Sequence, residues 1–132
     1  MSFQKDYEFG TMNEDRVLDI LNEKFGVDGE IRKVHNKYCA YDFIGNHYCY
    51  ELKSRNIKKD DFDTTLLPKS KCCRDNLIFL FDFTDGLYYI QYDPTLFSKF
   101  ETKPFKRNPR TGYIDREKDY IYIPTEHLTK IE

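Results

Sequence analysis

The chain has 132 residues, 39% hydrophobic and 33% charged, with a formal net charge of −2. That is the length of one domain and too short for two. No apolar run is long enough to span a bilayer, the polar, mixed-charge start Met1–Phe9 is unlike a secretory signal, and a near-zero charge does not announce a nucleic-acid partner.

In chain order, residues 1–12 read as an approach segment broken by Gly10. Thr11 or Asn13 can cap a helix running to about Phe25, with Val17, Leu18, Ile20, Leu21 and Phe25 as its apolar stripe and Gly26 as its stop. Glu14 stands on that stripe, four residues before Leu18 and seven before Leu21. Ile31–Val34 and Tyr38–Ile44 read as strands. Tyr48–Lys53 alternates between two faces. Pro68 suits the first turn of a helix through Cys73. Leu77–Phe81 is a continuous apolar run, expected to be a central strand buried on both faces after a crossover helix. Leu87–Tyr92 returns beside it, and Asp93-Pro94 opens a helical turn through Phe100. Lys103–Arg110 reads as a basic loop, Gly112–Ile114 as a return to the sheet, Tyr120–Ile123 as a last strand stopped by Pro124, and Glu126–Ile131 as a tail. His35 and His47 lie near turns and read as surface residues. Cys39, Cys49, Cys72 and Cys73 show no C-x-x-C spacing and read as reduced thiols of an intracellular, reducing compartment.

One stretch carries chemistry. Gly45-Asn46 is a two-residue hairpin signal. It pairs Ile44 with His47 and Asp42 with Cys49. Directly paired residues share a face, so Asp42 joins Cys49, Glu51 and Lys53, with Glu51 a diagonal neighbour at about 7–8 Å. A one-residue slip would destroy this. Converging carboxylates repel unless a cation sits between them, and hard oxygen ligands suit Mg²⁺ or Mn²⁺. A lysine two residues beyond the second acid reaches the same spot, which is the equipment for metal-assisted phosphodiester hydrolysis.

Asp42, eight residues, then Glu51-Leu52-Lys53 resembles the motif of the PD-(D/E)XK nuclease superfamily, with Tyr41 in place of the usual proline. The resemblance implies an α/β fold, a restriction-endonuclease-like core with a mixed β-sheet flanked by helices in the order αβββαβ. It implies Asp42, Glu51 and the Leu52 carbonyl as metal ligands, Lys53 as the residue that orients water, and a glutamate of the first helix completing the site: Glu14 first, Glu8 second. Within the superfamily the chain resembles small nucleases of large DNA viruses, in which a Thr-Thr segment and a helix bearing a lysine follow E-x-K. Thr65 and Lys71 match these, and the place of action implied is the cytoplasm or the site of viral DNA replication.

Between Lys53 and Arg74 seven basic residues face three aspartates, and Lys103–Arg110 holds four basic residues and no acid. Beside an acidic cluster this distribution reads as phosphate contact, with Arg55, Thr65, Lys69, Lys71, Lys106 and Arg107 as candidates. The expected activity is that of a structure-selective DNA endonuclease or an end-processing nuclease of recombination, repair or viral replication. Two symmetric cuts would call for a homodimer. An RNA endonuclease, a non-catalytic nucleic-acid-binding module of the same fold, and a protein-interaction domain using its aromatic surface are the alternatives.

Overall fold

The computed structural model describes residues 3–34, 41–105 and 118–132, with backbone alone for 3–12, 28, 105 and 118. The expectations on His35, Cys39, Lys106, Arg107 and Gly112–Ile114 fall outside these residues, as does the side chain of Glu8.

The first helix, α1, spans Phe3–Phe25 and buries Val17, Ile20 and Leu21, the i, i+3, i+4 spacing that places side chains on one face. It starts well before the expected caps. Gly10 does not break it, since a glycine inside a helix costs only about 1 kcal/mol. Asn13 is not a cap either: its amide donates to Ser54 Oγ at 3.2 Å, and its oxygen accepts from Arg16 at 2.9 Å. A 3-10 turn over Gly26–Asp28 follows. At Gly29 the backbone takes φ of +147°, and any Cβ would run into the Asn46 side chain.

A six-stranded sheet lies under α1. Its members are β1 (Arg32–Lys33), β2 (Phe43–Ile44), β3 (Cys49–Ser54), β5 (Leu77–Phe83), β6 (Gly86–Gln91) and β9 (Thr129–Lys130), in that spatial order. Only the β3/β5 pair is parallel; the other pairs are antiparallel. A second sheet of β4 (Thr64–Pro68), β8 (Lys118–Pro124) and β7 (Glu101–Phe105), ordered β4-β8-β7, covers the other face. Among the described residues the architecture is thus mixed α/β, with mostly antiparallel sheets and two helices. The second helix, α2 (Pro94–Phe97), has Asp93 as its N-cap, accepting from the Thr95 and Leu96 amides. That is the turn read from Asp93-Pro94.

Two cores follow from this layering. Under α1, Val17, Leu21, Phe43, Tyr50, Ile78 and Leu80 pack together. Between the sheets, Cys49, Leu67, Phe79, Phe81, Ile121 and Ile123 do. β5 feeds both and lies between β3 and β6, as its unbroken apolar run predicted.

Three further readings are corrected. The helix expected from Pro68 to Cys73 is absent: β4 occupies the crossover, burying Thr65 and Leu67 while Thr64, Leu66 and Pro68 stay half-buried, and only a 3-10 turn over Lys69–Lys71 follows. The Thr-Thr-Leu-Leu run alternates and finds a partner strand in β8, which outweighs a helix start lacking an apolar stripe behind it. Lys103 lies in edge strand β7, where the missing amide of Pro104 is tolerated. The expected strand Tyr120–Ile123 forms, within β8 of the second sheet. The last strand is β9, inside the expected tail.

Candidate functional site

The hairpin forms with a longer turn than expected. Ile44 pairs with Cys49 and Phe43 with Tyr50, and the Gly45 amide donates to the Tyr48 carbonyl at 2.9 Å, so the connection is Gly45–Tyr48. The pairing has moved by two residues. Because side chains alternate with period 2, an even shift leaves every residue on its expected face.

The consequence is closer contact between the acids. The Asp42 amide donates to the Tyr50 carbonyl at 2.9 Å, and Asp42 Oδ2 accepts from the Leu52 amide at 2.8 Å. Asp42 therefore grips the backbone on both sides of Glu51. Phe43 and Tyr50 point into the core under α1, while Cys49 points into the core between the sheets, so Glu51 and Lys53 face the second sheet.

Glu51 is only 5% exposed. Lys53 Nζ lies 3.3 Å from its Oε1 and Lys71 Nζ 3.6 Å from its Oε2. Oε2 has no hydrogen-bond partner among the described residues. Burial pushes the Glu51 carboxyl above its ordinary value and the Asp42 charge adds to this, while Lys53 and Lys71 pull the other way. The net direction is upward, toward holding a proton.

Lys71 rides on the 3-10 turn that follows β4, not on a helix. Its position is set by Tyr41, a buried residue whose hydroxyl donates to the Lys71 carbonyl at 3.0 Å and lies 3.0 Å from Cys73 Sγ. Burial raises the Tyr41 pKa far above its usual value, so the hydroxyl keeps its proton. The role of Tyr41 escaped sequence reasoning. Its only signal was an aromatic at the proline position of the motif, and its partner lies 30 residues away.

The other candidates fall out differently. Glu14 is placed by α1 against Lys33, at 3.6 Å. Lys33 pairs with Phe43, so this contact lies on the helix-covered face, opposite Glu51. Arg55 donates from Nε to Thr65 Oγ1 at 3.3 Å and from Nη2 to the Leu66 carbonyl at 2.6 Å, with its guanidinium over Phe81. These two residues tie β3 to β4. Lys69 is exposed on the same turn as Lys71. Beside Lys53 a cleft of about 420 Å³ is lined by Arg55, Ile57, Phe62, Leu66, Pro68 and Tyr120.

Two carboxylates, not three, meet here: among the described residues no group of three His, Cys, Asp or Glu side chains is arranged to hold a metal. A hard cation that keeps several waters is nonetheless compatible with one or two carboxylates, and the buried Oε2 of Glu51, which accepts no hydrogen bond among the described residues, is the kind of oxygen such an ion takes. No helix among the described residues is long and apolar enough to cross a membrane. No family model, curated protein or solved structure matches the chain, so the chemistry is argued from the residues themselves.

Proposed function

We propose that this protein is a Mg²⁺- or Mn²⁺-dependent nuclease that hydrolyses phosphodiester bonds in DNA, built on a restriction-endonuclease-like core. The observation that carries the reading is the buried Glu51, gripped by Asp42 and flanked by Lys53 and Lys71, with one oxygen unsatisfied. The order of helix, three antiparallel strands and a fourth strand parallel to the third supports the core; the strand β4 in the crossover departs from it.

Asp42 and Glu51 would hold the metal, with the Leu52 carbonyl as a further oxygen. When bound, the ion supplies charge neutralisation at the phosphate and acidifies a water. Asp42 and Glu51 are pre-organised by the β2/β3 backbone, so little ordering is left for substrate binding. Lys53, fixed beside Glu51, orients the attacking water and stabilises the negative charge that builds on the phosphoryl oxygens. Lys71 holds a neighbouring phosphate and lowers the cost of keeping Glu51 ionised.

The same four residues favour a second reading. Two carboxylates and two lysines neutralise one another without a metal, as a nucleic-acid-binding module of this fold would require. A labelled panel of single strand, duplex, flap, four-way junction and RNA, incubated with Mg²⁺ or Mn²⁺, separates the readings. Cleavage by wild type that disappears in Lys53→Ala identifies the nuclease and its substrate. Salt-sensitive binding without cleavage of any member selects the binding module. A requirement for a homodimer would show as activity that depends on protein concentration.

A further inference from the structure

We infer that the cleft beside Lys53 is a pocket for one unpaired nucleobase, which stacks on Phe62. This rests on the nuclease reading and specifies its substrate as a strand with an end, a flap or another unpaired nucleotide at the cut.

Phe62 is 62% exposed, the only aromatic among the large exposed hydrophobics of the described residues, beside Val27 and Ile44. Its exposure is not that of a fraying loop. Before it, the Lys59 amide donates to Asp85 Oδ1 at 3.0 Å, the Lys58 amide to Asp61 Oδ2 at 2.9 Å and the Thr84 amide to the Ile57 carbonyl at 3.0 Å. After it, the Thr125 amide donates to the Asp63 carbonyl at 2.9 Å. The ring is thus presented by a backbone tied down on both sides and lines the cleft beside Lys53.

The cleft supplies the rest. Its volume of about 420 Å³ is within the range of small-ligand pockets. Ile57, Leu66, Pro68 and Tyr120 give it an apolar lining, and Lys53 and Arg55 line it as well. A phosphate is drawn to the cations Lys53 and Arg55, which leaves the base for the exposed ring. Every base offers a π-face, so stacking is tolerant of sequence. A base inside a duplex is already stacked and must be extruded at a cost of a few kcal/mol to enter such a slot. The pocket therefore discriminates by pairing state and not by base identity.

The test uses the full chain and short DNA duplexes that are blunt or carry a single-stranded end, with binding followed by fluorescence anisotropy. Wild type is expected to favour the single-stranded end, and Phe62→Ala to lower that preference about tenfold, with Phe62→Tyr restoring it. Removing the base of the unpaired nucleotide from the DNA is expected to reproduce the Phe62→Ala loss in wild type and to add nothing to it in the variant. An unchanged preference in Phe62→Ala, or equal loss on blunt and single-stranded ends, overturns the pocket. Metal-dependent cleavage compared between wild type and Lys53→Ala then shows whether the nuclease reading survives. A wild type that neither binds nor cuts any DNA overturns both.

Discussion

Two clusters of acids and lysines lie on opposite faces of the main sheet and hold their charges in opposite ways. On the face under α1, Lys33 Nζ sits 2.8 Å from Asp15 Oδ1 and 3.6 Å from Glu14 Oε2, with both acids substantially exposed. The hydrogen bond to Asp15 raises the Lys33 pKa, so this cluster favours its own charged form. On the other face, Glu51 is buried and its pKa is also raised, but for an acid that means its charge is disfavoured. The first cluster is a surface ion pair with its charges at ease. The second buries a carboxyl whose charge is opposed by burial and by Asp42 and favoured by Lys53 and Lys71, with no hydrogen bond to Oε2 among the described residues. Perturbation of this second kind, by burial plus specific charges in or beside a cleft, marks functional sites more often than an ion pair does.

Several changes would break or sharpen this contrast. The largest effect is expected from Lys53→Ala or Asp42→Ala, which should lower cleavage by about 10²–10³-fold with the thermal transition still cooperative; full activity in either variant removes the site. Next comes metal binding. An ion that binds only the folded chain, at a hundred times its dissociation constant, stabilises by about 2.7 kcal/mol. Mg²⁺ should therefore raise the melting temperature of wild type and not that of Asp42→Ala, as read by calorimetry.

A smaller effect concerns pH. A carboxyl whose pKa is higher folded than unfolded binds its proton more tightly in the folded state. Its contribution to stability is therefore most favourable at low pH and declines as pH rises from the ordinary carboxylate range through the raised value. Glu51→Gln should flatten this decline in a series of melts across pH. Lys71→Met should shift the decline to higher pH, since it removes a cation that favours the ionised form. The same shift in the acid limb of the cleavage profile would tie the two measurements to one group. The smallest effect is expected on the other face: Asp15→Asn should cost about 0.2–1 kcal/mol and leave cleavage at its wild-type rate.

What could be read in advance depended on how local the pattern was. The convergence of Asp42, Glu51 and Lys53 survived a wrong turn length because the error was even and strand faces alternate. Glu14 is the opposite case. Its place on the apolar stripe of α1 was legible, but which face of the sheet the helix would cover was not, and it met Lys33. Thr65, a candidate phosphate contact through the Thr-Thr segment of the resemblance, and Arg55, one through the basic stretch, proved to be bonded to each other, a contact 10 residues apart that no local pattern announces.

The sequence alone determined the stripe of Val17, Ile20 and Leu21, the doubly buried β5, the Asp93 cap of α2 and the shared face of the two carboxylates. Each is a periodicity or a cap written within a few residues. Tertiary structure decided that the crossover would be a strand of a second sheet, that Lys71 would reach Glu51, that Tyr41 would hold Lys71 in place, and that a cleft would open beside Lys53. These depend on chain segments far apart in sequence, and the free energy that selects them comes from pairing β4 with β8 and closing the core between the sheets. No local propensity encodes such a choice, because the partner strand that outweighs the helix start at Pro68 lies some fifty residues downstream.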